Sequence, residues 1–271
     1  MTAPLPDFGR KYRALAPALL ERVWREACAI ERRPADALKR AKRALHQLHS
    51  AFVEERELDA ADLALAQLEA AKLDGDEPVS MESCAREVLA CHASTRERLA
   101  TIAELHRELR ARVGTPASVL DLGCGLHPFA LPWMGLPRTT RYHAFEADQR
   151  MVALTARWFA RLGQAGEARA VDLIERANGG ELPTVEVAWL FKLLPTLERQ
   201  RAGAAAALLE RLAATDVATA VLSFPTRSLG ARTKGMREQY GRFVDGLLRE
   251  RGWSEESFEV GDEWFVVARR R

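Results

Sequence analysis

The chain has 271 residues, 48% of them hydrophobic, enough for one large domain or for a domain with a smaller companion. Its formal net charge is only +2, and it has no apolar run of about 18 residues and no signal-peptide core near Pro4, Pro6 and Asp7. These features argue against a membrane or secreted protein and for a soluble cytoplasmic one, while Cys28, Cys84, Cys91 and Cys124 form no Cys-x-x-Cys pair that would suggest zinc or a disulfide framework.

The charge is laid out in blocks. Residues 1–53 carry eleven Lys/Arg against five Asp/Glu, residues 54–77 carry two against nine, and residues 226–251 carry seven against three. Segregated charge of this kind points to a surface that faces a polyanion. Leu15, Leu19, Val23 and Ala27 predict a helix over residues 10–30. Pro34 opens a second helix whose apolar face is Leu38, Ala41, Leu45, Leu48 and Phe52. Lys39, Arg40, Lys42 and Arg43 occupy its other faces, near Arg10, Lys11, Arg13, Arg32 and Arg33. A charge run is usually a solvated face, but this concentration favours phosphate contact.

Residues 54–77 read as an acidic helix that ends at Asp74-Gly75-Asp76, before a turn at Pro78. Residues 80–112 read as one or two helices with Val88, Leu89, Leu99, Ile102, Leu105 and Leu109 facing inward. Within them, Ser94 and Glu97 have the spacing of a capping box, which leaves Arg96 and Arg98 unexplained.

From residue 117 the apolar period changes. Strands are expected at 117–122, 141–146, 167–172, 184–191, 217–224 and 263–269, with helices at 148–162, 196–214 and 233–251. The alternation predicts an α/β doubly wound sheet at 113–271 behind an all-helical N-terminal domain at 1–112.

The first strand ends in Asp121-Leu-Gly123-Cys-Gly125. Ligands of open α/β sheets bind beyond such strand ends. A P-loop is excluded because no Lys follows, and a dinucleotide loop because Pro128 stands where its third glycine belongs. What remains is the Asp-x-Gly-x-Gly loop that class I methyltransferases use for S-adenosylmethionine. Glu146 closes the next strand about 20 residues on, the spacing of a carboxylate that holds ribose hydroxyls. Asp172 ends the third strand, where an acid can accept from an adenine amino group. Lys192 ends the fourth, and a lysine there either snorkels or meets an anion. Thr196 is placed to cap the next helix, with Glu198 in its first turn. A basic loop runs from Arg227 to Arg237 at the same rim.

Four stretches carry a resemblance: His92–Leu99, Asp121–Gly135, Phe191–Glu198 and Phe224–Met236. They resemble the aminoglycoside-resistance 16S rRNA methyltransferases, which modify N7 of guanine 1405 in the decoding site of the 30S subunit. The Leu-Pro-Trp-Met-Gly and Ser-Thr-Arg-Glu-Arg runs are its most specific parts, and similar segments near Tyr12 and at Ala37–Phe52 extend it over nearly the whole chain. The resemblance implies a class I, Rossmann-like fold and S-adenosyl-L-methionine as cofactor. It implies that Arg98 binds the methionine carboxylate, that Gly123 and Gly125 pass close to the cofactor, and that Glu146 and Asp172 hold ribose and adenine. Lys192 and Glu198 would lie near the target base in positioning roles, with Arg227 and Lys234 on the RNA side, to which the charge pattern adds Lys11, Arg13, Lys39, Arg40, Lys42, Arg43 and Arg232. The family commonly has Asp where Glu146 stands and Asn where His127 stands.

Three other readings compete: methylation of N1 of a nearby adenine, a methyltransferase of a small molecule, and a non-enzymatic rRNA-binding factor. The basic N-terminal block disfavours the second, because a lid needs no such charge. Intact Arg98, Gly123, Gly125 and Asp172 disfavour the third. No metal is expected, and the absence of a heptad pattern suggests a monomer.

Overall fold

A computed structural model describes residues 4–50, 52–70, 80–226, 236–249 and 252–270. In chain order the helices are α1 (Pro17–Ile30), α2 (Pro34–Leu45), α3 (Glu55–Ala70), α4 (Met81–Ala90), α5 (Ala93–Arg98) and α6 (Ile102–Val113). Then come β1 (Ser118–Leu122), α7 (Leu131–Met134), β2 (Arg141–Glu146), α8 (Gln149–Leu162), β3 (Gly166–Ala170) and α9 (Leu173–Ala177). The chain continues through β4 (Val187–Phe191), α10 (Leu194–Gln200), α11 (Ala204–Ala214), β5 (Thr219–Pro225), α12 (Met236–Arg249), β6 (Trp253–Val260) and β7 (Glu263–Arg270).

The sheet order is β3-β2-β1-β4-β5-β7-β6. β1 to β5 are parallel, and β7 and β6 run antiparallel at one edge. Parallel strands need crossover helices, so both faces of the sheet are covered and the central strands β1, β4 and β5 are buried on both sides, whereas the edge strand β3 carries Glu167 and Arg169. Their side chains alternate between two cores. Val119, Tyr142, Val187 and Trp189 join α3, α4, α6 and α8 in one, and Leu120, Phe145, Ala188 and Leu190 join α9 to α12 in the other. Three helices that precede the sheet in sequence, α3, α4 and α6, therefore share a core with it. α1 and α2 have a small core of their own, built on Leu15, Leu19, Val23, Trp24, Ala37, Ala41 and Leu45.

The N-terminal segment is stitched directly to the loop after β2. Ala16 N donates to Ala147 O at 2.8 Å, and Gln149 N donates to Ala14 O at 2.7 Å. Those bonds use backbone that a helix would need, so the helix expected from residue 10 starts only at Pro17, its first-turn proline. The helix expected at 196–214 is two, because Gly203 adopts φ 81° between α10 and α11. The strand expected at 167–172 stops at Ala170, and Asp172 instead N-caps α9 through Ile174 N at 3.0 Å. The capping box expected at Ser94 is absent: His92 holds the N-cap position of α5, and Ser94 lies inside the helix. β6 was not expected, because its run Trp253-Ser-Glu-Glu-Ser-Phe-Glu-Val260 is polar and its exposed middle needs no apolar face. The acidic helix is described from Glu55 to Ala70, and its expected remainder lies outside the described residues.

The four cysteines are free. Among the described residues no helix is long and apolar enough to cross a membrane.

Candidate cofactor and RNA site

A cleft opens at the carboxyl ends of β1, β2 and β4. Gly123, Glu146, Met151, Asp172, Phe191, Lys192 and Thr196 line it from the sheet side, and Leu19, Leu48, His49, Phe52, His92 and Ser94 from the N-terminal helices. The expected strand-end residues thus share one cavity, and the N-terminal segment closes it.

The glycine loop fits close approach of a ligand. Gly123 and Gly125 have φ 62° and 53°, a region other residues enter only with strain. A Cβ on Gly125 would stand 3.2 Å from the His92 ring, and one on Gly123 would stand 2.9 Å from Leu193 Cδ1. The His92 ring is stacked on Phe52 and bonded through Nδ1 to Ser94 Oγ at 2.9 Å. Burial lowers its pKa to about 3, helped by the nearby Arg98, so His92 is a neutral wall of the cleft.

Glu146 hangs over this loop. Its Oε2 accepts from Gly125 N at 2.8 Å, and its Oε1 accepts from Ala147 N at 2.7 Å and Asp148 N at 3.3 Å. Burial raises its pKa, against the pull of the Gly125 and Ala147 N–H groups. A half-buried acceptor on a cleft wall, beside a glycine loop, matches donors such as the two hydroxyls of a ribose. The set therefore fits an adenosine-type cofactor. His49 braces the same corner: its ring reaches Asp148 Oδ2 at 2.6 Å, while Asp148 Oδ1 caps α8 through Arg150 N at 2.6 Å. Asp172 lines the far wall, and both of its oxygens are engaged by Arg22 of α1.

Arg98 is not among the cleft-lining residues. It is buried, and its Nε and Nη2 donate to Glu263 of β7 at 2.8 and 2.7 Å, with the guanidinium 5.1 Å over Phe191. Burial would push the Glu263 carboxyl up, but Arg98, then Lys192 and Ser223, hold it below the usual carboxylate value. Lys192 adds the second cation, with Nζ 2.5 Å from Glu97 and 3.5 Å from Glu263. Its backbone has φ 54°, held by bonds from its N–H to Ser223 O at 3.1 Å and Ser223 Oγ at 2.9 Å. Left-handed backbone at a residue with a Cβ costs about 1–2 kcal/mol, and such strain gathers at functional sites.

Glu198 requires a correction. Its carboxylate accepts from Gly203 N at 2.7 Å and Ala205 N at 3.3 Å, so it caps α11 and does not line the cleft. The break at Gly203 created free N–H groups, and Glu198 is the acceptor that meets them. Thr196 likewise caps nothing: it lies within α10, whose N-cap position is Leu193.

The basic residues of the N-terminal segment lie on the surface. Lys11, Arg13, Lys39, Arg40 and Arg43 are exposed and Lys42 is half-buried. Tyr12 OH reaches Lys42 O at 3.4 Å, which sets the first group beside the second. Arg13 is paired with Asp7 and Arg40 with Glu31. Arg40 and Arg43 also border a groove with Arg199 that meets the cleft at Leu48, Thr196 and Gln200. Arg227, Arg232 and Lys234 lie outside the described residues.

Sequence reading missed Glu263, Glu97, His49 and Arg22. Glu263 and Glu97 show no local pattern, being ordinary acids that meet Arg98 and Lys192 only in the fold. His49 carried a weak signal, a lone histidine beside the apolar position Leu48.

A family model described as ribosomal RNA methyltransferase (FmrO) matches residues 8–267. The 16S rRNA (guanine(1405)-N(7))-methyltransferase of Micromonospora echinospora is 37% identical over 262 residues, which cover 96% of this chain and 93% of that protein. The protein of the same description from Frankia casuarinae is also 37% identical, over 264 residues that cover 96% and 90%. The crystal structure of the 16S rRNA methyltransferase RmtF in complex with S-adenosyl-L-homocysteine matches with a TM-score of 0.83 at 33% identity, covering 97% of this chain and 94% of that one.

Proposed function

The chain belongs to the FmrO family of ribosomal RNA methyltransferases, and from that premise we propose that it transfers a methyl group from S-adenosyl-L-methionine to N7 of guanine 1405 in 16S rRNA, conferring aminoglycoside resistance. The observation that carries the reading is the Gly123–Gly125–Glu146 cradle in a cleft whose other wall is the basic N-terminal segment. The substrate is the assembled 30S subunit, the enzyme acts as a monomer, and it works in the cytoplasm. Residues 1–112 form the RNA-binding part and residues 113–271 the methyltransferase part.

The chemistry asks mainly for placement. S-adenosylmethionine, when bound, supplies a methyl group already activated on a sulfonium. Guanine N7 has a free lone pair, so no base is needed to remove a proton from it. Of the cleft-lining residues, Glu146 would accept from the ribose hydroxyls and Asp172 would hold the adenine edge. Arg98, with Nε and Nη2 bonded to Glu263, would offer Nη1 to the methionine carboxylate. Lys192, aimed by Glu97 and Glu263, supplies a cation beside the entering nucleotide. Holding both reactants in line is worth up to about 7–11 kcal/mol of barrier. Turning the guanine out of its stack costs a few kcal/mol, which phosphate contacts from Lys11, Arg13, Lys39, Arg40, Lys42 and Arg43 offset, with Arg227, Arg232 and Lys234 completing the RNA side.

The test is transfer of tritiated methyl from S-adenosylmethionine to purified 30S subunits, followed by borohydride–aniline cleavage at 7-methylguanine. A single break at guanine 1405 is expected. Label without cleavage would mean another atom or base, and no label with the cofactor still bound would point to a different acceptor.

A further inference from the structure

Arg22 and Arg98 are the two buried arginines among the described residues, and the role of Arg22 has not been accounted for. It sits in α1, in the basic segment, with 1% of its side chain exposed. Its Nε donates to Asp172 Oδ2 at 2.5 Å and its Nη2 to Asp172 Oδ1 at 3.3 Å. Nη2 also donates to Gln200 Oε1 at 3.0 Å, and Nη1 to Glu26 Oε2 at 3.1 Å. Asp172 and Gln200 both line the cleft. One guanidinium therefore joins the loop after β3, the end of α10 and the N-terminal helix.

We propose that Arg22 is a positioning residue for the cofactor's adenine: it holds the Asp172 carboxylate in one orientation, with one lone pair left for the adenine amino group. This deepens the methyl-transfer reading and rests on it. An ionised carboxylate offers about four lone-pair sites. Arg22 takes two and Ile174 N takes a third, so a single acceptor site remains. Without Arg22, a buried Asp172 would keep only the Ile174 N–H. Such a group turns away toward other donors, because an unpaired buried charge is costly. A carboxylate turned away no longer presents its acceptor to the amino group. The planar fork also explains why the residue is an arginine: it fixes both oxygens at once, whereas an ammonium is a point charge. α1 thereby becomes part of the cofactor site, and the helix that leads into the RNA-facing surface sets the affinity for adenine.

The distinguishing readout is selectivity at position 6 of the purine. S-adenosylhomocysteine presents an amino donor there, and S-inosylhomocysteine presents an oxo acceptor that would face the carboxylate. Both are titrated calorimetrically against the wild-type chain, Arg22→Lys, Arg22→Met and the control Arg25→Gln. Arg25 pairs with Glu175 at 2.9 Å across the same interface but in solvent. The wild type and Arg25→Gln are expected to prefer the adenosyl ligand by about 100-fold or more, since a site built around one hydrogen bond rejects the analogue that lacks it. Arg22→Lys narrows that ratio and Arg22→Met reduces it to below about tenfold. A merely structural arginine would lower the melting temperature and leave the ratio alone. Should Arg22→Met not fold, Arg22→Lys decides by the same ratio. An unchanged ratio in a folded Arg22 variant overturns the proposal, while failure of the wild type to bind S-adenosylhomocysteine overturns the methyl-transfer reading beneath it.

Discussion

Removing Glu263 strands a buried cation. The Arg98–Glu263 pair is bidentate at 2.8 and 2.7 Å, and each side chain is 5% exposed. In Glu263→Ala the guanidinium keeps its burial and its place over Phe191 but loses the charge that offsets its desolvation. Breaking one side of such a pair costs about 3–5 kcal/mol, a large part of the roughly 5–15 kcal/mol that holds a domain. Replacing both partners by apolar residues is different, because no buried charge remains. Arg98→Met with Glu263→Leu is therefore expected within about 1 kcal/mol of wild type, as other buried pairs behave. Urea unfolding followed by tryptophan fluorescence, with a double-mutant cycle, separates the two. On the proposed reading both variants should be weaker in methyl transfer, because the double variant lacks Arg98 and Glu263→Ala removes the acid that orients Arg98 and, with Glu97, Lys192. The sign of the pH effect follows from the lowered Glu263 pKa. Its stabilisation is full above the ordinary glutamate value of 4.5 and is lost as pH falls through the lower folded value. The gap between wild type and Glu263→Ala should therefore close only in acid. A single-variant cost below 1 kcal/mol at neutral pH would refute the reasoning.

Cofactor affinity should weaken as pH falls through the raised Glu146 pKa, by up to about tenfold per pH unit, because ribose hydroxyls donate to the ionised form. Titrations in two buffers of different ionisation heat would show proton release in that window, and Glu146→Gln should abolish it. Gly125→Ala meets the His92 ring at 3.2 Å and strains a φ of 53°, so its S-adenosylhomocysteine affinity should drop at least about tenfold with the fold retained by circular dichroism. Neutralising Arg40, Lys42 and Arg43 together should flatten the salt dependence of 30S binding, by up to about 0.7–0.9 in log–log slope per lost phosphate contact. The cofactor affinity of that variant should be unchanged, and an unchanged slope would move the RNA face elsewhere. Glu198→Ala removes the acceptor for Gly203 N and Ala205 N and should cost about 0.5–2 kcal/mol of stability in thermal unfolding, with cofactor affinity intact.

Where sequence reading succeeded and where it stopped has one physical cause. β1, β2, β4 and β5 were legible because a buried parallel strand needs an apolar run, and such a run is written locally. The glycine loop and Glu146 were legible because close backbone approach and a strand-end carboxylate sit at fixed spacing along the chain. β6 was missed because an edge strand with an exposed middle leaves no apolar record. Ser94 misled because local spacing offered it a local partner, Glu97, while Glu198, expected near the target base from the resemblance, meets in the fold the N–H groups of a helix break that only Gly203 announced.

The charged partners lay further out of reach. Arg22 meets Asp172 across 150 positions, Arg98 meets Glu263 across 165, and Lys192 meets Glu97 across 95. No periodicity connects such residues, because the pairing is a property of which strand ends the topology brings together. That separation also has a functional consequence. Each pair ties a residue of the helices before β1 to the carboxyl edge of the sheet, where the cleft opens. A buried ion pair is weak evidence for stability, since an apolar pair would often serve as well. Here three charges on the sheet side are each held by a charge from the helical side, and all three flank the cleft or its cationic wall. The arrangement makes sense if those helices are needed to set the geometry of the site as well as to grip RNA. A chain in which residues 1–112 were separated from residues 113–271 would then be expected to lose cofactor affinity as well as RNA affinity.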